Sequence, residues 1–389
     1  MKFAISPRIQ AVHFPPISEV RQWAASYWAS PERPLIDLCQ AVPDYPPAPG
    51  LVAHLKGVLD DPLTSRYSPD EGILETRVAL CARYQRRYGG VVTPGQLCLT
   101  IGASQAFWLA MVTLCVAGDE VIVPLPAYFD HPMALEVLGI RPVYLPFNEA
   151  SGGLPSLADL EALITPRTRA ILLVTPSNPT GVVAPPELIR ELFELAGRRG
   201  VALVLDETYA DFIPGRPHEL FTDVVWKDNF VQIMSLGKTY ALTGYRAGLL
   251  VASEDFIYQA LKAQDSMAVC QPRITQQALL YGAEHLDPWV WGNREIMTRR
   301  HDRFREEFTL PGNPFRLVTS GAFFAWIKHP FPFLSGREVA QRLAQEAGIL
   351  CLPGEVFGPG LGEYLRLAFG NIREEIIPEA VERFRTFPA

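Results

Sequence analysis

A lysine, a serine and an arginine stand close together between residues 235 and 248 of this chain. Lys238 follows an apolar strand candidate that ends at Ser235, and Arg246 stands eight positions after the lysine. A lysine amine can form a Schiff base with a carbonyl compound. A serine hydroxyl and an arginine guanidinium can hold a phosphate group. The three residues therefore predict a site that binds a phosphorylated carbonyl compound covalently.

Several other polar or glycine residues stand where predicted strands end. In open α/β sheets, ligands bind at the carboxyl ends of the strands. The residues that fall at such ends here are Gly102, Tyr128, Asn178, Asp206, Ser235 and Lys238. Asp206 ends the apolar run 201–205, where a carboxylate is costly to bury without a cationic partner. A lone aspartate there would favour a helix cap or a structural ion pair, whereas the whole set indicates a ligand site.

The strands that would position these residues alternate with amphipathic helices in the middle of the chain. Six apolar runs are strand candidates: Leu97–Ile101, Glu120–Val123, Ala170–Thr175, Val201–Asp206, Val231–Ser235 and Ala247–Val251. Continuous Val, Ile and Leu strands separated by helices are typical of a mostly parallel sheet that helices cover on both faces. Residues 47–280 are therefore predicted to form a large α/β domain.

The pattern changes after about residue 280. A long charged helix, Asn293–Phe308, precedes strand candidates at Gly321–Ile327 and Tyr364–Ala368. These elements predict a smaller α+β domain that contains residues 281–389. The N-terminal residues 1–46, with one predicted helix at Ser18–Ala29, are expected to join it.

The composition narrows the classes of function. The chain has 389 residues, 48% of them hydrophobic, which is enough for two domains. Its net charge of -7, without a basic stripe, argues against a nucleic-acid partner. No apolar run is long enough to span a membrane, and the N-terminus lacks the apolar core of a signal peptide. The six scattered cysteines predict reduced thiols and no metal site. We expect a cytoplasmic protein.

Three motifs together resemble a known family. Ser235-x-x-Lys238-x(7)-Arg246-x-Gly, Asp206-Glu207-x-Tyr209-x-x-Phe and Asn178-Pro-Thr-Gly occur here in the order found in pyridoxal-phosphate aminotransferases of class I/II. These belong to the aspartate aminotransferase, or fold type I, superfamily. The resemblance runs from about Leu35 to Phe369. It implies an α/β fold, with helices sandwiching the mostly parallel sheet of the large domain and a smaller α+β domain beside it.

The resemblance implies catalytic roles for three residues and pyridoxal 5'-phosphate as the cofactor. Lys238 would hold the cofactor as a Schiff base and later move the Cα proton of the substrate. Asp206 would pair with the pyridine nitrogen and keep the ring cationic. Tyr209 and Asn178 would donate hydrogen bonds to the ring oxygen.

The other cofactor contacts are also implied by position in the family pattern. Ala103 and Ser104 lie in a turn between a strand and a helix, where backbone N–H groups can hold a phosphate with Ser235 and Arg246. Tyr128 would stack on the pyridine ring, although a tyrosine packed at a strand end is the competing interpretation. Tyr67 would reach the phosphate of a neighbouring subunit, which implies a homodimer with shared active sites.

The substrate-binding residues are expected near the two ends of the chain. Arg366, inside an apolar strand, resembles the arginine that binds the substrate α-carboxylate, and a structural ion pair is the alternative. Ala41 replaces a glycine that relatives carry near that carboxylate. Some relatives that prefer dicarboxylates carry a lysine in place of Ser104, so its absence weakly disfavours acidic donors. The resemblance places the loop of Arg273 at the site of the neighbouring subunit, where this arginine could bind an acidic side chain, but a solvated loop charge is the better interpretation.

The amino donor is predicted to be neutral or aromatic rather than acidic. Apolar and aromatic residues that we place near the entrance favour this choice; they are His13, Phe14, Trp23 and Phe324. The expected function is transfer of an amino group from an L-amino acid to a 2-oxo acid by a ping-pong mechanism. A β-lyase, a decarboxylase or an oxidase with the same cofactor is the first alternative. A non-catalytic module that senses a ligand is a remote second.

Overall fold

The strands and helices alternate through the middle of the chain. The structure is a computed structural model that describes residues 3–14, 16–31 and 33–388. The strands of this part are β1 (Ile36–Asp37), β2 (Leu97–Ile101), β3 (Glu120–Pro124), β4 (Arg141–Leu145), β5 (Thr168–Val174), β6 (Ala202–Asp206), β7 (Phe230–Ser235), β8 (Ala247–Val251), β9 (Arg316–Gly321), β10 (Phe324–Lys328), β11 (Ile349–Leu350), β12 (Leu352–Pro353) and β13 (Tyr364–Ala368). The predicted bounds of β2, β8 and β13 are those of the structure.

The helices vary from short terminal turns to one of 22 residues. They are α1 (Pro7–Ala11), α2 (Ile17–Trp23), α3 (Pro49–Val58), α4 (Leu74–Tyr88), α5 (Gly102–Leu114), α6 (Asp130–Leu138), α7 (Leu157–Leu163), α8 (Pro186–Arg199), α9 (Leu236–Thr239), α10 (Glu254–Ala268), α11 (Arg273–His285), α12 (Asp287–Phe308), α13 (Gly336–Arg342) and α14 (Ile377–Arg385). None of the helices in the described part is long and apolar enough to cross a membrane.

Seven strands form the large sheet, in the order β2-β8-β7-β6-β5-β3-β4. Only β8 runs antiparallel to its neighbours β2 and β7. The central strands β6 and β7 are buried along their whole length, since apolar side chains pack on both faces of the sheet. This confirms the predicted α/β fold with a mostly parallel sheet. The edge strand β4 was not predicted, because its side chains are only partly buried and lack a continuous apolar run.

A second, antiparallel sheet has the order β12-β13-β10-β9. The predicted strand Gly321–Ile327 is wrong at its start. β9 ends at Gly321, and β10 begins at Phe324 after a turn in which Ala322 has a φ of 47°. The apolar run hid this turn, because alanine gives no turn signal. A two-stranded parallel sheet, β1 with β11, ties the N-terminal segment to this part of the chain.

Two predicted helices differ from the structure in length. The helix predicted at Ser18–Ala29 ends at Trp23 and continues as a short 3-10 turn, Ala24–Ser26. The helix predicted from Asn293 begins six residues earlier, at Asp287. Pro288 occupies the first turn of α12, where its missing N–H costs nothing, so the proline starts the helix and does not delay it.

The two larger sheets lie in different apolar cores. Leu203, Leu205 and Leu249 belong to a core under the seven-stranded sheet. Phe304 and Leu367 belong to a core between α12, α14 and the four-stranded sheet.

The predicted domain boundaries at residues 47 and 280 remain a prediction. Met1, Lys2 and Ala389, at the predicted ends of the small domain, lie outside the described residues.

Candidate active site

A cavity of about 520 Å³ lies at the carboxyl ends of β5, β6 and β7. Each of these strands contributes its last residue to the cavity wall, so the sheet itself brings the site together. Of the residues predicted to contact the cofactor or the substrate carboxylate, all but Tyr67 line this cavity. The lining ones are Ala41, Ala103, Ser104, Tyr128, Asn178, Asp206, Tyr209, Ser235, Lys238, Arg246 and Arg366.

Lys238 lies in the one-turn helix α9, directly after β7. Its Nζ atom donates a hydrogen bond to the backbone oxygen of Ala41, 2.8 Å away. Burial, and then the positive charges of Arg246 and Arg366, lower the pKa of Lys238 to about 8. A useful fraction of this amine is therefore neutral near neutral pH, as a nucleophile or a proton acceptor requires.

The lowered pKa of Lys238 predicts how fast the cofactor-free protein captures pyridoxal phosphate. Only the neutral amine attacks a carbonyl carbon, so the capture rate should rise about tenfold per pH unit below pH 8 and level off above it. The rate can be measured by trapping the bound cofactor with borohydride at a series of pH values. A lysine peptide is the control, with a rate that keeps rising towards pH 10. If the capture rate of the protein also kept rising towards pH 10, as that of the peptide does, the lowered pKa of Lys238 would be contradicted.

Asp206 ends β6 and is buried beside a histidine that the sequence analysis missed. The Nε2 atom of His131 lies 3.1 Å from Oδ2 of Asp206, while the other carboxylate oxygen accepts the backbone N–H of Thr208 at 2.9 Å. His131 packs between the rings of Phe107 and Tyr128. It therefore fixes the orientation of the carboxylate inside the cavity. The available signal was its position three residues after Tyr128, on the first turn of a helix.

Asn178 and Tyr209 present polar groups to the same cavity. Asn178 is buried, and its Oδ1 atom has no hydrogen-bond partner among the described residues. Burial raises the pKa of Tyr209 well above its ordinary value, although Arg366 opposes the shift. Tyr209 is therefore a neutral phenol that can donate a hydrogen bond. An unpaired buried amide oxygen is costly, so it suggests a polar ligand at this position.

The turn between β2 and α5 comes close to Arg246. Gly102 has a φ of 76°, and a Cβ atom added to it would lie 2.3 Å from the guanidinium of Arg246. A Cβ added to Gly248 would likewise meet the backbone of Gly102 at 2.3 Å. The two glycines let the backbone N–H groups of Ala103 and Ser104 lie beside this arginine at the start of α5. Free N–H groups next to a cation form a place for a phosphate.

Tyr128 lies on the cavity wall beside the start of α6. Its hydroxyl donates a hydrogen bond to Oδ2 of Asp130 at 2.6 Å, which fixes the ring. Burial raises the pKa of Tyr128 well above its ordinary value, and Asp130 adds to the shift. The ring is therefore uncharged and fixed in place, and a planar ligand can stack on its face.

Arg366 is buried in the middle of β13, yet it has no carboxylate partner among the described residues. Its Nη2 atom donates to the backbone oxygen of Cys39 at 2.6 Å, while Nε and Nη1 have no hydrogen-bond partner. The rings of Phe324 and Phe357 lie under the guanidinium, with centroids 5.6 and 5.7 Å away. The structural ion pair that we weighed as the alternative is not found. A buried arginine with unpaired N–H groups suits an anionic ligand.

Four predicted residues lie apart from this cavity. Tyr67 is 81% exposed and does not line it, so its role at a partner's site and the homodimer remain predictions. Arg273 begins α11 and does not line the cavity either. His13 and Phe14 are exposed in the N-terminal segment, also away from the wall.

The predicted apolar entrance is built from different residues than expected. Phe324 lies beneath Arg366, and Trp23 packs in a neighbouring apolar cluster, so neither of the two lines the cavity. The apolar side chains that do line it include Ile17, Val42, Phe107, Trp108, Met133 and Val137. They come from the N-terminal segment and from one face each of α5 and α6. A sequence alone does not show which helix face meets a cavity.

Comparison with known proteins decides the family. Residues 33–384 match the family described as aminotransferase class I and II. The chain belongs to this family. An aspartate aminotransferase of Sulfurisphaera tokodaii is 30% identical, over 89% of this chain and 88% of its own length. The aromatic aminotransferase ISS1 of Arabidopsis thaliana is 29% identical, over 98% of this chain and 95% of its own.

Solved structures of aminotransferases share the whole fold. The aspartate aminotransferase of Thermus thermophilus with maleate has a TM-score of 0.89 and 27% identity, and the comparison covers 99% of both chains. A double mutant of that protein gives a TM-score of 0.90 at 28% identity. The chain is therefore an aminotransferase, an enzyme of a pyridoxal-phosphate-dependent family. Its relatives include both aspartate and aromatic aminotransferases, so the family leaves the amino donor open.

Proposed function

We propose that this aminotransferase holds pyridoxal 5'-phosphate on Lys238 and moves the amino group of a neutral or aromatic L-amino acid to a 2-oxo acid. The observation that carries the proposal is the presence of an unpaired guanidinium and a readily deprotonated amine in one cavity. Arg366 offers two unpaired guanidinium nitrogens, and Lys238 offers an amine with a pKa of about 8. One group suits the substrate carboxylate, and the other suits a carbonyl carbon and the Cα proton.

The residues present fit pyridoxal phosphate. The N–H groups of Ala103 and Ser104, with Ser235 and Arg246, would hold its phosphate. The carboxylate of Asp206 would pair with the ring nitrogen, and His131 positions that carboxylate. Asn178 and Tyr209 supply polar groups for the ring oxygen, and Tyr128 supplies an aromatic face. The chemistry that the bound cofactor supplies is withdrawal of electrons from Cα of the amino acid.

The chain itself supplies binding and proton transfer. Arg366 binds the substrate carboxylate in a site enclosed by Phe324 and Phe357, which keeps water away from the ion pair and strengthens it. The lowered pKa lets Lys238 take up a proton at Nζ and release it again near neutral pH. Its bond to the backbone oxygen of Ala41 brings the amine next to the segment that we propose to contact the substrate carboxylate.

The walls of the cavity favour a neutral or aromatic side chain on the donor. Apart from Lys238, Arg246 and Arg366, no lysine or arginine of the described residues lines the cavity, so the wall that a single chain provides has no fourth cation for a second carboxylate. Trp108 and Met133 lie on the wall instead, and they offer contact area to an apolar side chain. Two parts of the proposal rest on the sequence alone: a homodimer with sites shared through Tyr67, and a cytoplasmic location.

Donor preference is tested by comparing kcat/KM for L-phenylalanine, L-leucine and L-aspartate. We expect at least one of the two apolar donors to exceed aspartate by about tenfold, because burying aspartate's second carboxylate without a cation is costly. Ser104→Lys adds a cation at the cavity wall and should move the ratio towards aspartate by about tenfold. Ser104→Gln adds a neutral side chain of similar length, so it should leave this ratio unchanged. Aspartate as the best donor of the unaltered enzyme would contradict the proposed preference.

A further inference from the structure

A second cavity, of about 270 Å³, is lined mainly by arginines. It lies between α4, the segment 211–216 and the first turns of α12, and it shares no lining residue with the active-site cavity. The cationic residues on its wall are Arg83, Arg86, Arg87, Arg216 and Arg294. The acidic residues on the wall, within the described part of the chain, are Asp211 and Asp287.

The carboxylates at this cavity do not balance the guanidinium groups. Asp211 is paired with Arg83 at 2.7 Å and with Arg87 at 3.6 Å. Burial alone would raise the pKa of Asp211, but these two arginines hold it below its ordinary value, so the carboxylate is charged. Asp287 lies 2.9 Å from Nε of Arg86. The wall therefore carries three more positive charges than negative ones.

Arg83 is the strongest indication of a missing anion. Its side chain is only 4% exposed, and its Nη2 atom donates to Asp211. Its Nε atom lies 4.0 Å from Asp287, and neither Nε nor Nη1 has a hydrogen-bond partner among the described residues. The Nε atom of the neighbouring Arg87 lies 3.6 Å from Asp211 and has no hydrogen-bond partner among these residues either. Buried N–H groups of a charged side chain that lack an acceptor cost free energy. A ligand with oxygen atoms would satisfy them.

Two further arginines of the cavity wall, Arg294 and Arg216, keep guanidinium nitrogens that could bind such a ligand. Arg294 donates only one long hydrogen bond, 3.4 Å, to the backbone oxygen of Ile213, and forms no ion pair with a described carboxylate. Burial lowers the pKa of Arg294, and the nearby charge of Arg87 adds to this shift, while Asp211 and Glu295 oppose it. Arg216 is exposed and binds Glu219 through one nitrogen at 2.9 Å. Even with Glu219 counted, the cluster keeps an excess of positive charge.

We propose that this arginine cavity binds a small oxyanion that carries at least two negative charges, such as a phosphate or a polycarboxylate. Planar guanidinium groups bind both kinds of oxyanion with paired hydrogen bonds. A monovalent anion would leave the excess charge of the wall largely uncompensated. The cavity volume admits a small molecule rather than a folded segment of another protein. The inference does not depend on the reaction catalysed in the first cavity.

Isothermal titration calorimetry on the enzyme with bound cofactor tests the site. Free cofactor is removed first, so that the phosphate position of the active site is filled and no excess phosphate ester competes. Inorganic phosphate and citrate are titrated separately at low, matched ionic strength, with acetate as the monovalent control. Acetate reports any carboxylate binding at Arg366 in the first cavity, so we expect phosphate, citrate or both to show one binding event per chain that acetate does not show. The stronger of the two ligands shows whether the site prefers a phosphoryl or a carboxylate group.

Two variants on the same helix make the test specific. Arg294→Gln should weaken the binding about tenfold, since it removes one charge-assisted hydrogen bond. Arg299→Gln is the matched control: it lies on α12 outside the cavity, pairs with Glu374 at 3.5 Å, and should leave binding unchanged. If Arg294→Gln does not fold, Arg216→Gln, which also changes a lining residue of the cavity, serves instead. No binding by phosphate or citrate, or equal binding by the cavity variant and the control, would overturn the proposal.

Discussion

Replacing Lys238 by alanine should lower kcat/KM for transamination by about 10⁴-fold or more. The substitution removes the only amine on the cavity wall, within the described residues, that could hold the cofactor and move the Cα proton. The fold should survive, because the amine is an unfavourable buried charge whose pKa is already lowered to about 8. The measurement is steady-state transamination, together with the mass of the protein after borohydride reduction, which reports covalently attached cofactor.

Lys227→Ala is the control for this experiment. Lys227 is exposed in the loop before β7, so its loss should change neither activity nor cofactor attachment. Lys238→Arg should be as inactive as Lys238→Ala, since a guanidinium keeps the charge but cannot serve as the nucleophile. If Lys238→Ala retained the cofactor mass after reduction, another amine would be the anchor, and our assignment would be wrong.

Arg366→Lys should raise KM for the amino donor about 100-fold and leave cofactor affinity nearly unchanged. A lysine keeps the positive charge but loses the planar fork that two carboxylate oxygens require. It also loses the stacking of the guanidinium on Phe324 and Phe357. The measurements are KM and kcat for the best donor, with cofactor affinity determined separately by fluorescence.

Arg246→Lys provides the matched comparison for Arg366→Lys. Arg246 lies at the turn beside Gly102, where we place the cofactor phosphate, so its replacement should weaken cofactor binding more than donor binding. The two conservative variants should therefore separate the two kinds of affinity. Equal losses of donor and cofactor affinity in Arg366→Lys would mean that Arg366 supports the site as a whole and does not bind the carboxylate.

The strands of the large sheet could be predicted from the sequence because burial on both faces requires continuous apolar runs. The bounds predicted for β2 and β8 agree with the structure, and β6 differs by one residue. The edge strand β4 lacks such a run, since it is only partly buried. The strand predicted at Gly321–Ile327 runs across the turn between β9 and β10, because Ala322 in this turn stands before an apolar stretch and gives no turn signal.

The cavity residues at strand ends could also be predicted, since polar side chains that follow buried strands meet at one edge of a sheet. Contacts between segments far apart in the chain could not be predicted from the sequence. The bond between Lys238 and the backbone oxygen of Ala41 joins residues 197 positions apart. The approach of His131 to Asp206 depends on how α6 packs against the sheet. No local pattern encodes either contact, and the arginine cavity is hidden in the sequence for the same reason.

The measurement that tests the central claim most directly is a single half-reaction without an acceptor. The enzyme with bound cofactor is mixed with ¹⁵N-labelled L-phenylalanine, or with the best donor from the panel. Our account predicts one equivalent of 2-oxo acid per chain with the ¹⁵N retained by the enzyme, and release of labelled amino acid once a second 2-oxo acid is added. Continuous release of ammonia or carbon dioxide would instead show a lyase, an oxidase or a decarboxylase. Continuous release of either product would contradict transamination, and so would the absence of any product with every donor.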